Sequence, residues 1–170
     1  MFKIKLLILL LTSFFIVSCT NNQTHSFNQK YSLAYIEGGF DGLLLKNYLL
    51  SNLKSLNIYD PNSNYEIRAN INHSSDLFIT NIDNTSEREK INTNLFIQII
   101  DTSNNCQLVS DQISVSQFYI YASGDKFISN QTADSKIKKD NTESLVKQFV
   151  NKLRTVSNKC DEPKQSNIVN

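Results

Sequence analysis

Between residues 65 and 121 the chain repeats one pattern three times, with apolar side chains at every second position and polar ones between. Tyr65, Ile67, Ala69 and Ile71 alternate with Glu66, Arg68, Asn70 and Asn72. Ile91, Thr93, Leu95, Ile97 and Ile99 share one phase, as do Val109, Ile113, Val115, Tyr119 and Tyr121. Successive side chains of a strand point to opposite faces, so this period specifies strands with one dry and one wet face. The runs are long against a usual strand of about 5–6 residues. Turn-forming stretches at Asp83-Asn84-Thr85-Ser86 and Asp101-Thr102-Ser103-Asn104-Asn105 separate them, and the pattern predicts an antiparallel meander. Leu77-Phe78-Ile79 continues the first run past an expected bulge near His73-Ser74-Ser75, and the phase of Leu108 signals an irregularity in the last.

Two helices complete the set. Tyr31 to Ile36 reads as a first strand, broken by Glu37-Gly38-Gly39. Leu45, Leu49, Leu53 and Leu56 then recur at helical spacing, widened by Leu44 and Tyr48, and predict a helix over residues 41–56 with Asp41 as its N-cap. After a loop from Gly124 to Thr132, a second helix is expected over residues 133–157. Val146, Phe149, Val150, Leu153 and Val156 form its stripe, with Lys152, Arg154 and Lys159 toward its positive-favouring end. The order is β-α-β-β-β-α. One apolar face on the sheet and one on each helix are buried together in an α+β two-layer sandwich. Its sheet is four-stranded and mostly antiparallel, with both helices on one face.

The amino terminus carries a different kind of information. Lys3 and Lys5 precede an uncharged apolar run from Leu6 to Val17, closed by Ser18-Cys19, which describes a secretory leader. The run falls short of the roughly 20 apolar residues of a membrane span. Ile16-Val17-Ser18-Cys19 resembles the lipobox of bacterial lipoproteins. The resemblance implies cleavage after Ser18 and lipidation of Cys19, with a membrane anchor of two or more acyl chains. Thr20, and not Asp, follows the cysteine, which favours the outer membrane. The expected organisation is a signal over 1–18, a lipidated tether over 19–30, one domain over 31–158 and a disordered tail over 159–170.

Charge and cysteine count exclude several functions. The chain has 17 basic and 16 acidic residues, a net charge of +1, which becomes −1 when Lys3 and Lys5 leave with the leader. A nucleic-acid binder carries a basic excess, so nucleic acid is not an expected partner. Cys106 and Cys160 either form a disulfide in an oxidising periplasm or remain free thiols. His25 and His73 have no metal-ligand spacing with them, and no phosphate-binding loop, nucleophile elbow or HExxH motif occurs. No catalytic residue, metal or cofactor is expected, and the chain reads as a non-enzyme. Two basic groups are candidates for phosphate contact: Lys136, Lys138 and Lys139, and, within the alternating run Glu87-Arg88-Glu89-Lys90, Arg88 and Lys90. Each is also readable as ordinary solvated surface, the latter as a charged strand edge.

Several segments together resemble the lipopolysaccharide-assembly lipoprotein family LptE, in particular its alphaproteobacterial branch. Leu33-Ala34-Tyr35-Ile36-Glu37 leading to Leu44-Leu45-Lys46-Asn47-Tyr48-Leu49 is similar to that branch's first strand and helix. Tyr65-Glu66-Ile67 is similar to its second strand start. Arg88 through Asp101 (REKINTNLFIQIID) is similar to the segment preceding a turn, and Leu145 through Leu153 to the closing helix. Asn104-Asn105-Cys106 stands where the family usually has a Gly-containing turn. The resemblance implies a lipoprotein on the periplasmic side of the cell outer membrane, partnering the β-barrel LptD. It would plug that barrel, assist its assembly and help deliver lipopolysaccharide (LPS) to the outer leaflet. A different envelope lipoprotein, acting as accessory subunit or ligand-binding surface module, is the alternative.

Overall fold

The computed structural model describes residues 27, 29–79, 87–121, 127–156 and 160. The leader, Cys19, most of the tether and residues 161–170 lie outside the described residues. The elements are β1 (Ser32–Leu33), α1 (Gly39–Ser55), β2 (Tyr65–Ile79), β3 (Glu87–Asp101), β4 (Cys106–Tyr121) and α2 (Phe127–Lys152), closed by a 3-10 turn at Leu153–Thr155. The sheet order is β1-β2-β3-β4. β1 pairs parallel with β2, while β2, β3 and β4 form the antiparallel meander.

The alternation does what its period requires. Ile91, Thr93, Leu95, Ile97 and Ile99 of β3 are all buried on the face under the helices. Leu45, Leu49 and Leu53 of α1 and Leu145, Val146, Phe149 and Val150 of α2 close over them with Ile67, Leu108 and Leu153. The expected two-layer α+β arrangement, both helices on one side of a mostly antiparallel sheet, is the one found. Leu108 is the irregular residue: Ile99 pairs Val109 but Ile100 pairs Gln107, so Leu108 is left over and turns into the core. Phe27 also packs on the core, with the Arg154 guanidinium 5.5 Å above its ring. Cys106 and Cys160 are joined in a disulfide with Cα atoms 5.8 Å apart.

Several boundaries differ from expectation. No bulge interrupts β2 at residues 73–75, since His73 to Ser75 pair in continuous register with Thr93 to Ile91. The pattern breaks there because the helices no longer cover β2, and Ser75 and Leu77 on its helix-facing side are exposed. Only Ser32 and Leu33 of the first expected strand are in the ladder, with Tyr31 bridging Tyr59. α1 is capped by Gly38, not Asp41. Gly38 has φ 116, and Asp41 instead sits in the first turn, where its charge suits the helix dipole. α2 starts at Phe127, six residues before its expected start, so residues 127–132 are helix and not loop. Its helical run ends at Lys152 in place of residue 157, and the chain tightens into the 3-10 turn.

One polar cluster interrupts the core beneath α2. Asn141 Nδ2 donates to Thr93 Oγ1 at 3.0 Å, and His73 Nδ1 lies 2.9 Å from the same oxygen. His73 Nε2 and Asn141 Oδ1 are enclosed without a partner. Burial pushes the His73 pKa below its ordinary value, so the ring is held neutral. Thr93→Val removes the shared oxygen from both neighbours and is expected to cost about 1–3 kcal/mol. Replacing all three together, Thr93→Val with His73→Leu and Asn141→Leu, is expected to recover most of that loss. Urea unfolding midpoints check both.

The β3–β4 hairpin is held by Asp101. Its carboxylate accepts hydrogen bonds from the Ser103 hydroxyl and backbone N–H and from Asn104 Nδ2 at 2.7 Å. Asn105 takes the left-handed conformation, φ 49, which the turn requires and asparagine tolerates. The Ser103 and Asn104 side-chain bonds lower the Asp101 pKa. A carboxylate depressed in the folded state stabilises fully above its unfolded value, near about 4. That contribution is lost as pH falls through the folded value. Asp101→Asn is therefore expected to flatten the acid limb of stability below about pH 4, measurable by urea titration across that range.

Candidate functional site

The end of the sheet farthest from the Asp101 turn carries the charged and apolar groups that the core does not use. Even-numbered residues of β2, β3 and β4 face away from the helices here. The register sets Phe78, Arg88 and Ile120 in one cross-strand row, and Asp76, Lys90 and Phe118 in the next. Phe78 and Phe118 stand diagonally across β3, with ring centroids 6.1 Å apart. Lys90 Nζ lies 5.8 Å from the Phe118 ring centre. Asp76 stands across from Lys90, and its carboxylate accepts a hydrogen bond from Asn92 Nδ2 at 2.9 Å. Glu89 projects to the opposite face, where it accepts a hydrogen bond from the Tyr119 hydroxyl. Among the described residues no carboxylate is ion-paired with Arg88 or Lys90, and Lys90 lies against the Phe118 ring.

Apolar side chains in the same rows are exposed. Phe118 is 57% exposed and Ile120 72%. In the helical layer, the first turn of α2 exposes Phe127 at 69% and Ile128 at 76%. Isolated exposed apolar residues are ordinary, but several gathered at one end mark an interaction site. Arg88 and Lys90 supply the donors, and the rings and aliphatic chains supply a surface for hydrocarbon. The arrangement suits an anion attached to an apolar tail.

The second basic group is arranged differently. Lys136 pairs with Asp140 at 2.5 Å and Lys138 with Asp134 at 2.8 Å, each one turn along α2. Only Lys139 of the three is unpaired among the described residues. The helix turns Lys138 away, while Lys136 and Lys139, one turn apart, line one shallow surface pocket with Gln131, Thr132 and Ser135. The three lysines are thus not brought together as one group, and two of them already have a carboxylate partner. The rest of the open sheet face is neutral: Asn70, Asn72, Asn94, Gln98, Gln112, Ser110 and Ser114 surround Phe96. Arg68 there is held by Glu66 at 2.7 Å. Among the described residues no group of three or more His, Cys, Asp or Glu is placed to hold a metal ion. Among them, no helix is long and apolar enough to cross a membrane.

No family model matches the chain. No curated protein matches it either. Solved structures with the same fold do exist. A minor lipoprotein from Acinetobacter baumannii aligns at 16% identity over 75% of this chain and 91% of its own, with a TM-score of 0.56. An uncharacterized lipoprotein B from Nitrosomonas europaea aligns at 11% identity over 75% of this chain and 83% of its own, TM-score 0.54. The rare lipoprotein B from Shewanella oneidensis aligns at 8% identity over 75% and 90%, TM-score 0.52. At these identities the likeness is one of fold.

Proposed function

We propose that this protein is a lipid-anchored lipoprotein of the cell envelope that works in LPS export, without catalysis, at the periplasmic side of the outer membrane. Cys19 carries the lipid. The observation that carries the reading is the cation-and-apolar end of the sheet. Arg88 and Lys90 meet phosphate groups of the lipid A type, and Phe78, Phe118 and Ile120 receive the adjoining acyl chains. A guanidinium and an ammonium bind phosphate as fork and point charge respectively. The neutral, amide-rich remainder of the open face suits the polar interior of a large β-barrel, the LptD partner that the sequence resemblance implies. The shared fold with several lipoproteins supports the same reading.

The test is charge reversal at the site. Each charge-assisted contact is worth about 1.5–3 kcal/mol, or about tenfold in affinity or more. Arg88→Glu with Lys90→Glu is expected to weaken binding of purified LPS by about 100-fold. Lys136→Glu with Lys138→Glu is expected to change it little, because those lysines already have partners. Equal loss in both double variants would refute the assignment of the site.

A further inference from the structure

Six of the ten large apolar side chains exposed among the described residues lie at one end of the molecule, on both of its layers. Leu77 is on the helix-facing side of the sheet, Phe78, Phe118 and Ile120 are on its open side, and Phe127 and Ile128 begin α2. The helix reaches the same end as the strands. Asn141 touches Thr93, and the stretch of α2 back to Phe127 rises about 21 Å. The rows of β3 from Thr93 to Glu87 extend about 20 Å. The opposite end, at the Asp101 turn, exposes none of the ten.

An end ringed with hydrocarbon on two layers restricts what can cover it. A protein that fits one layer leaves the other wet, and the polar lumen of a barrel suits the amides of the open face, not this ring. A bilayer is fluid and apolar below its headgroups, so it takes a convex end on all sides at once. The charges agree with an anionic lipid surface. Arg88 shares a row with Ile120, and Lys90 shares the next with Phe118. Long basic side chains lay their stems along such neighbours and hold their charges at headgroup level. In these rows of the open side Asp76 is the one carboxylate, since Glu89 points to the other side. Two cations against one carboxylate favour acidic headgroups.

The tether leaves from the far side. Phe27 packs beside Arg154, just past the Lys152–Asp111 pair. Residues 19–27 reach about 29 Å when fully extended, while β2 is about 46 Å long. A chain held at Cys19 therefore reclines to bring its free end to the same bilayer. This step uses the lipid at Cys19 proposed above and no part of LPS binding. We propose that this end docks on a bilayer of acidic phospholipid. Phe118, Ile120, Phe127 and Ile128 enter the boundary of the acyl chains, with Arg88 and Lys90 at the phosphates.

The chain contains no tryptophan, so a single one introduced reports its own surroundings. Phe118→Trp and Phe127→Trp place it at the docking end, and Ser51→Trp places it on the exposed side of α1. Each full-length variant, with its lipid attached, is reconstituted in vesicles of phosphatidylcholine and phosphatidylglycerol with brominated acyl chains, which quench tryptophan on contact. Phe118→Trp and Phe127→Trp are expected to lose most of their emission and Ser51→Trp to keep its own. Adding Arg88→Glu with Lys90→Glu to Phe127→Trp is expected to restore the emission, as is replacing the mixture by phosphatidylcholine alone. No quenching at the two end positions, equal quenching at all three, or quenching indifferent to charge reversal would overturn the proposal. The vesicles hold no LPS, so the outcome is independent of LPS binding. Chains that float with the vesicles while their end positions stay unquenched would refute the docking and leave the Cys19 anchor standing.

Discussion

A chain with Cys106→Ser and Cys160→Ser will unfold with about 4 kcal/mol less free energy than the parent, because the lost cross-link closes a long loop. The bridge spans 54 residues, from the first residue of β4 around the whole of α2. Cutting it frees the denatured chain to explore far more conformations. In the folded state the same bond fixes the chain beyond the 3-10 turn to the start of the edge strand. Thermal unfolding of the parent under reducing and non-reducing conditions gives the same comparison without mutation. A melting point about 10–20 °C lower is expected for a loss of this size in a domain of this length.

Gly42→Ala will be nearly as damaging, although alanine is the better helix former by about 1 kcal/mol. A Cβ at Gly42 would stand 2.2 Å from the Glu37 carbonyl oxygen and 2.7 Å from its carbon. These are backbone atoms, held by the turn in which Gly38 and Gly39 both take positive φ. Relief requires moving either the start of α1 or the chain leaving β1. Ile36 is buried beside this turn and Leu45 is buried one turn along the helix, so both movements disturb the core. Overpacking in a fixed site costs about 1–3 kcal/mol or more, and this case lies at the upper end. Gly39→Ala makes the control: open space surrounds its Cβ, and only its φ of 58 opposes the change. Urea unfolding of the two variants is expected to separate them clearly.

The fold was legible in the sequence wherever one face is buried along a whole element. β3 is sandwiched between two strands and roofed by helices, so every second residue from Ile91 to Ile99 had to be dry. The helix stripes through Leu45–Leu53 and Val146–Leu153 follow from the same cause. Legibility failed where burial stops. The first turns of α2 expose Phe127 and Ile128 and carry Ser, Asn and Thr of modest helix propensity, so no stripe announces them. The Ser74-Ser75 stretch read as a bulge because it lies near the uncovered end of the sheet.

The candidate site was half legible. Arg88 and Lys90 share a face by strand alternation alone. Their apolar companions come from β2 and β4, and register, which the sequence does not print, decides that Phe78 and Phe118 meet diagonally across β3. The lysines of α2 illustrate the reverse. Close in sequence, they are split by the helical turn into Lys138 on one side and Lys136 with Lys139 on another, and two are paired locally with Asp134 and Asp140.

A tagged copy of the full chain, purified from outer membranes with the captured partner weighed by mass spectrometry, tests the account most directly. The expected result is a one-to-one complex with a much larger β-barrel, whose assembly falters when this protein is depleted. Recovery of the chain alone, from cells in which every large barrel still assembles normally without it, would contradict the account.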